Sequence, residues 1–453
     1  MLTIEALFGD DATVLRETDF QLLLLATVFP ILGTGLVSPV LDSVIGPFGT
    51  TAADVGLMVS FLTAPGIVLI PVAGVLADRY GRKPVLVVGL LLFGIAGTAI
   101  GFTTDFRVVL ALRFVQGVGF SGLVPTITTS IGDMYADARE ATAQGLRLGM
   151  NGISGAVVPP IAGLLVVVSW RYPFALYASA VPVAIAVQLW LTETTAETDP
   201  AAARGRNEGR EENGTGGEDE GNDERGKGEG TGTADDGGAA YRRALLGLLG
   251  RRRVLALVIA RTLPVVVWVG FFTYNSIVVV DLLGGTPPQA GLLVAVGNLV
   301  FGIAASQAGR ITARADSRFY PLVAANVALA TGFAVMLFAP GLAVAAAGIT
   351  VAGVGMGISL SLYRSIITGI APQSLRGGLV SVSGAGGRVT ATVTPVAMGA
   401  VIGAAAPEVG FASAVRLAGL GAAAVGGGGG VVCLLVASAA PPVPDDLPVA
   451  PGD

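Results

Sequence analysis

A helix needs about 20 predominantly apolar residues to cross a bilayer. This chain offers twelve such stretches, at roughly 20–42, 53–76, 84–104, 106–130, 144–167, 171–191, 254–280, 288–308, 320–339, 342–369, 378–403 and 411–438. They are numbered spans 1 to 12. The polar segments between them are too short and too few for a soluble bundle of amphipathic helices. Hydrocarbon cannot hydrogen-bond a bare backbone, so each span must satisfy its own peptide groups as a helix. The expectation is an all-α membrane protein. Of 453 residues, 53% are apolar and 13% charged, against about 25% charged in soluble domains.

The spans fall into two sets of six. Residues 1–192 hold the first and 254–438 the second, with 439–453 as a tail. Between them, 193–253 reads as a disordered acidic, Gly-rich linker with a basic end. Its portion 193–236 carries 14 acidic and 5 basic residues, too little apolar surface to fold. The N-terminus carries Asp10, Asp11, Arg16, Glu17 and Asp19 and does not read as a secretory signal. Arg79, Arg82 and Lys83 (loop 2–3), Arg139, Arg310, Arg314, Arg318 and Arg376 all fall on one side. That bias predicts a cell-membrane protein with both termini and the linker in the cytoplasm. Acidic loops and a preference for Arg over Lys suit a salt-adapted prokaryote.

The chain has no His and a single Cys, Cys433. It thus lacks internal disulfides, the commonest metal ligand and the usual proton shuttle. No nucleophile or metal cluster suggests an enzyme. No cofactor and no nucleic-acid partner is expected. Proton chemistry must rest on carboxylates and their Arg partners.

The halves repeat. Gly117-Val-Gly119 recurs as Gly353-Val-Gly355, and Pro159…Gly163 as Pro395…Gly399, both at an offset of 236 residues. Gly74…Asp78-Arg79-x-Gly81-Arg82-Lys83 has a worn copy in Gly302…Ser306-Gln307-x-Gly309-Arg310. Two related six-span units indicate a pseudo-symmetric transporter. The absence of a filter-like repeat argues against a channel. In the charged turn, Gly74 allows close approach, Gly81 a sharp turn, and Pro84 suits the first turn of span 3. Asp78 would pair with an Arg or a helix N-terminus in one state and release it in the other. A plain positive-inside anchor is the alternative.

That turn resembles the signature loop of the major facilitator superfamily, and the resemblance covers essentially the whole chain outside the linker. Arg113-Phe-Val-Gln116-Gly117-Val-Gly119 in span 4 is similar to a second motif of the family. Gly155-Ala-Val-Val-Pro159-Pro160-Ile-Ala-Gly163 in span 5 resembles the fifth-helix antiporter motif, with Pro159 in place of its second Gly and Leu164 in place of its last. Leu32-Gly33 followed by Pro39-Val40-Leu41-Asp42 resembles the first-helix pattern of twelve-span drug:proton antiporters, with Asp42 where the final Pro is usual. The resemblance implies two six-helix bundles around a substrate cavity, alternating access by a monomer in contact with membrane lipid, and export of a drug-like or small metabolic solute against protons. Sodium is the alternative coupling ion.

Several residues are candidates for that work. Arg113 lies inside span 4, where a charge costs about 2.5–3.5 kcal/mol on insertion scales. It should find carbonyls or a carboxylate, and the resemblance implies a part in proton transfer. Asp42 is the leading carboxylate near the pathway, able to hold a proton or a cation, with a solvated helix end as the alternative; Asp281 carries the same two readings, and Asp54 reads as a helix-start residue. Gly155, Pro159, Pro160 and Gly163 make a small-residue, bendable face with Gly149 and Gly152. Arg261, Arg364, Arg388 and Arg416 are unusual intramembrane cations. Arg261 and Arg416 can snorkel from span ends, whereas Arg364 and Arg388 could attract an anion. Uptake or exchange of an organic anion or nutrient is therefore the second functional reading. Gln116, Trp268, Tyr274, Asn275 and Tyr363 complete the substrate-cavity candidates.

Overall fold

The computed structural model describes residues 10–193, 234–314 and 317–441. Twelve long apolar helices fill it, and no strand occurs among the described residues. They are α1 (Thr18–Gly35), α2 (Leu57–Tyr80), α3 (Arg82–Phe102), α4 (Phe106–Met134), α5 (Asp137–Val168), α6 (Tyr172–Trp190), α7 (Arg252–Leu282), α8 (Pro287–Ile311), α9 (Phe319–Leu337), α10 (Leu342–Ile370), α11 (Arg376–Val409) and α12 (Phe411–Ala439). The first span ends earlier than its apolar run suggests. After Gly35 the chain turns and re-forms one short helix, Leu41–Val44, which carries Asp42.

The repeat seen in the sequence is a repeat of packing. A Cβ on Gly117 would strike the Leu62 carbonyl of α2, and one on Gly353 the Gly297 carbonyl of α8. Likewise Gly119 backs onto the Gly89 carbonyl of α3, and Gly355 onto the Ala325 carbonyl of α9. In each half the fourth helix thus brings bare backbone against the second and third. Bare glycine lets helix axes approach where lipid supplies no hydrophobic drive.

The two halves meet along two crossings, α5 with α8 and α2 with α11. These exchange when six is added to the helix number, as pseudo-twofold symmetry demands. A Cβ on Gly163 would lie 2.5 Å from the Pro287 carbonyl at the start of α8, and one on Gly399 would overlap the Ala53 carbonyl ahead of α2. Ser60 Oγ donates to the Thr392 carbonyl at 2.7 Å, and Asn298 Nδ2 to the Gly155 carbonyl at 2.9 Å. These contacts lie mid-helix or toward the end that carries Asp42. Toward the end that carries the basic loops, Gly145, Gly149 and Gly152 of α5, Gly302 of α8, and Gly384 and Gly387 of α11 have no neighbour within 4 Å of a Cβ position. The halves are closed at the Asp42 end and parted at the basic end.

The linker reading needs one correction. Residues Ala234–Leu249 form a helix, and Leu248 packs with Val254, Val258, Ile367, Ala371, Leu375 and Leu379. Its Ala244, Leu245, Leu248 and Leu249 recur at helical spacing, so it buries one face against the second half. The acidic stretch 194–233 and the tail beyond 441 lie outside the described residues.

Replacing Gly399 by Val should overpack the closed end by about 1–3 kcal/mol. In a Cys433→Ser background, a cysteine placed at position 54 should then react several-fold faster with a membrane-impermeant maleimide. An unchanged rate would mean that this contact does not hold the end shut.

Candidate functional site

At the basic end, the turn between α2 and α3 depends on Gly81, whose φ of +96° suits glycine. The turn presents the first backbone N–H groups of α3 to Glu193, whose Oε1 accepts from Arg82 N at 2.7 Å and Lys83 N at 3.2 Å. A carboxylate at a helix N-terminus satisfies orphan donors and meets the positive end of the helix dipole. Arg82 turns inward and is 6% exposed. Its guanidinium pairs with Asp78 at 3.1 Å and with Asp133 at the end of α4 at 2.8 Å, and donates to the Ala77 carbonyl at 3.1 Å. Arg82 therefore ties α2, α3 and α4 together. Asp78 stays largely exposed, with Arg82 of its own half as its ion-pair partner. Arg79 lies over the Tyr80 ring at 5.5 Å, and Gly74 has open space beside it. Nearby, Glu17 accepts from Tyr135 Oη and pairs with Arg139, each at 2.6 Å. Burial, with that hydrogen bond to Glu17, pushes the Tyr135 phenol up.

Arg113 is fully buried inside the first half. It donates to Gln116 Oε1 at 2.7 Å and Tyr177 Oη at 3.3 Å, and lies 5.8 Å from the Tyr177 ring centroid. Tyr177 in turn donates to the Leu32 carbonyl at 3.3 Å. Of the expected partners Arg113 finds a carbonyl, the side-chain amide oxygen of Gln116, together with a phenol, and Gln116 is occupied with Arg113. Tyr363, Tyr274 and Asn275 are also buried in packing contacts. Tyr363 accepts from Asn326, Tyr274 donates to the Pro395 carbonyl, and Asn275 donates to the Ala290 carbonyl. Tyr274 has a second place: its hydroxyl lies within 3.2 Å of the Cβ positions of Gly56 and Gly399, at the closed crossing. Trp268 is half-buried against Phe271, Phe272 and Phe301.

The closed end holds an arrangement that linear sequence does not display. Asp42 N donates to Ser276 Oγ of α7 at 3.1 Å, and the Asp42 and Asp281 carboxyls stand near enough across the halves for the charge of one to act on the other. Two carboxyls bond directly only when they share a proton. Burial, then the charge of Asp281, pushes Asp42 in its short helix beyond α1 up to about 6. Asp54 instead accepts from Thr51 Oγ1 at 2.8 Å within its own turn.

The parted end is lined differently. Arg147 of α5, Arg261 of α7 and Arg388 of α11 are half-buried, and Arg364 of α10 is exposed. Arg364 stands within repelling range of both Arg147 and Arg261, and Arg388 within that of Arg261. Arg261 donates to Ser383 Oγ at 3.1 Å. Arg416 lies apart, bonded to the Leu337 carbonyl and over the Phe338 ring.

The described helices form two pseudo-symmetric six-helix halves, closed at one end and parted at the other. The profile of the Major Facilitator Superfamily matches residues 23–395, and the chain belongs to that family. It is a multi-pass membrane protein, with twelve membrane-spanning helices among the described residues. Over 150 residues, 32% of this chain and 37% of the relative, it is 33% identical to the bacillibactin exporter of Bacillus subtilis. Over 143 residues it is 30% identical to the quinolone resistance protein NorA of Staphylococcus aureus, again covering 37% of that protein. The matched segment thus spans just over a third of either relative's length. Among solved structures, a bacterial homologue of the human lysosomal transporter Spinster, inward-facing and occupied, superposes with a TM-score of 0.71 at 16% identity, covering 94% of this chain and 97% of that one. The D-xylose–proton symporter superposes with 0.64 at 13% identity, covering 90% and 96%.

Arg82→Gln should destabilise the first half by about 1–3 kcal/mol by leaving Asp133 without its buried partner, whereas Arg79→Gln should be near neutral. Thermal unfolding in detergent checks the contrast; equal effects would contradict the anchoring role of Arg82.

Proposed function

We propose that this chain is a proton-coupled exporter of a small solute, with its basic end in the cytoplasm. The observation that carries the reading is the Asp42–Asp281 carboxyl pair, which bridges the halves at the end that must open for release. Resemblance in part of the chain to two export or resistance proteins supports the direction. The excess of Arg and Lys at the loop 2–3 end supports the orientation.

In this cycle the parted cytoplasmic end admits solute while the shared proton holds the outer end shut. Loss of that proton toward the cytoplasm leaves two carboxylates face to face, and their repulsion parts the outer end. The solute leaves, Asp42 takes a proton from outside, and the pair closes again. As the cytoplasmic end shuts, Asp78 leaves the surface and meets the second half, and Gly149 and Gly152 continue the packing that Gly155 and Gly163 make in the present state. Arg113 sets the inner face of α4 through Gln116 and Tyr177.

The sign of the pH effect follows from the raised Asp42 value. Outer closure has the full contribution of the pair below the ordinary carboxylate value of 3.8, and has lost it once the pH has risen through about 6. Asp42→Asn and Asp281→Asn should each keep the outer end closed at pH 8 and uncouple proton flux from solute flux. In proteoliposomes with an internal pH dye, the parent protein should move protons when solute is added and either variant should not. Proton flux in both variants equal to the parent's would defeat this reading. Asp78→Asn should slow turnover about tenfold or more without lowering membrane abundance; unchanged turnover would remove Asp78 from the cytoplasmic gate.

A further inference from the structure

The four arginines at the parted end form one layer. At 1.5 Å per residue, Arg147, Arg261, Arg364 and Arg388 lie about 9–18 Å along their helices from the basic end. One belongs to the first half and three to the second. Space is open beside Arg388, where Gly384 and Gly387 have no neighbour within 4 Å of a Cβ position. Arg147 Nε donates to Gln144 Oε1 at 2.9 Å and Arg261 to Ser383, both neutral acceptors. Among the described residues, the ion pairs join Arg82 to Asp78 and Asp133, and Arg139 to Glu17. None includes a member of this layer.

Unneutralised cations facing one gap at membrane depth are costly, and their mutual repulsion adds to the cost. Closing the basic end would bring Arg147 toward the three cations of the second half and raise that repulsion further. An anion between them reverses the sign. Guanidinium forks suit oxyanions, which they bind through paired N–H groups. Charge on one ligand must face both Arg147 and the Arg261–Arg364–Arg388 side, so a single negative group is not enough.

We infer that Arg147, Arg261, Arg364 and Arg388 form a substrate site for a small organic anion with two or more oxyanion groups, bound between the halves. Its occupancy is what permits the cytoplasmic end to close. This inference rests on the transport reading above and specifies the solute. An empty site keeps its like charges apart, so the carrier stays open to the cytoplasm until an oligoanion neutralises them.

The test uses the full chain in nanodiscs, with citrate and 1,3,6-naphthalenetrisulfonate as oligoanions, acetate as monoanion and tetraphenylphosphonium as lipophilic cation. Calorimetry should show at least one oligoanion binding tenfold or more tighter than acetate and weakening as salt rises. Arg147→Gln and Arg364→Gln should each weaken it tenfold or more, and Arg364→Lys by less, with thermal midpoints near the parent's. Affinity untouched by the Gln variants, or no binding of either oligoanion, would overturn the inference. Proteoliposome flux separates it from the coupling proposal. Proton movement with tetraphenylphosphonium but with no anion would sink the anion site and leave proton antiport standing. Anion counterflow lost in Arg147→Gln, without proton movement, would support the site and sink proton coupling.

Discussion

Where Gly163 faces Pro287 and Gly399 faces Ala53, the two halves touch backbone to backbone. In a bilayer no hydrophobic drive holds helices together, so association depends on close packing and hydrogen bonds. Glycine supplies the closeness on α5 and α11, and the Asn298–Gly155 and Ser60–Thr392 bonds supply the rest. These contacts gather toward one end. The same face of α5 continues as Gly152 and Gly149 into open space, so one helix carries both a formed and an unformed contact. A rocking motion needs that arrangement: a face that can pack at either end, but not at both together.

Charge divides along the same axis. Two carboxyls of like sign meet at the closed end, and four guanidiniums of like sign face the gap at the parted end. Each group opposes closure of its own end until something neutralises it. A proton suffices for the carboxyl pair, because one shared proton turns repulsion into a hydrogen bond. The arginines keep their charge, so only an anion can serve them. On the proposed reading, an entering proton and a departing anion are coupled through electrostatics at two separated sites. Arg82 belongs to neither group. Its two ion pairs and the Glu193 cap hold the first half rigid enough to move as a body.

Much of the fold was legible in the sequence. Span length and apolarity located the twelve helices, and the offset of 236 residues marked glycines that occupy matching contacts in each half. The Gly81 turn and the Asp78–Arg82 pair are local features, so both can be traced along the chain. Pairings across the halves were not legible. Asp42 and Asp281 can each be read as a proton-binding carboxylate or as a solvated helix end, and nothing along the chain brings them together. Arg147 stands beside Gln144 and Gly145 in a polar stretch and attracts no notice until α10 places Arg364 opposite. Tyr274, Asn275 and Tyr363 look like cavity residues because they are polar within membrane spans. Their burial against Pro395, Ala290 and Asn326 reflects the need of every buried polar group for a partner. The linker helix was hidden by the acidic run before it, whose composition masked the apolar spacing of Ala244, Leu245, Leu248 and Leu249.

The central claim is that the two ends close in alternation, each against its own like charges. Two distances measured by pulsed electron resonance test it most directly, on spin-labelled cysteine pairs in a Cys433→Ser chain in nanodiscs. One pair, at positions 54 and 403, spans the closed end; the other, at 145 and 384, spans the parted end. Raising the pH from 5 to 8 in the presence of a bound solute should lengthen the first distance and shorten the second in the same fraction of molecules. Distances that stay fixed, or that lengthen and shorten together, would contradict the account.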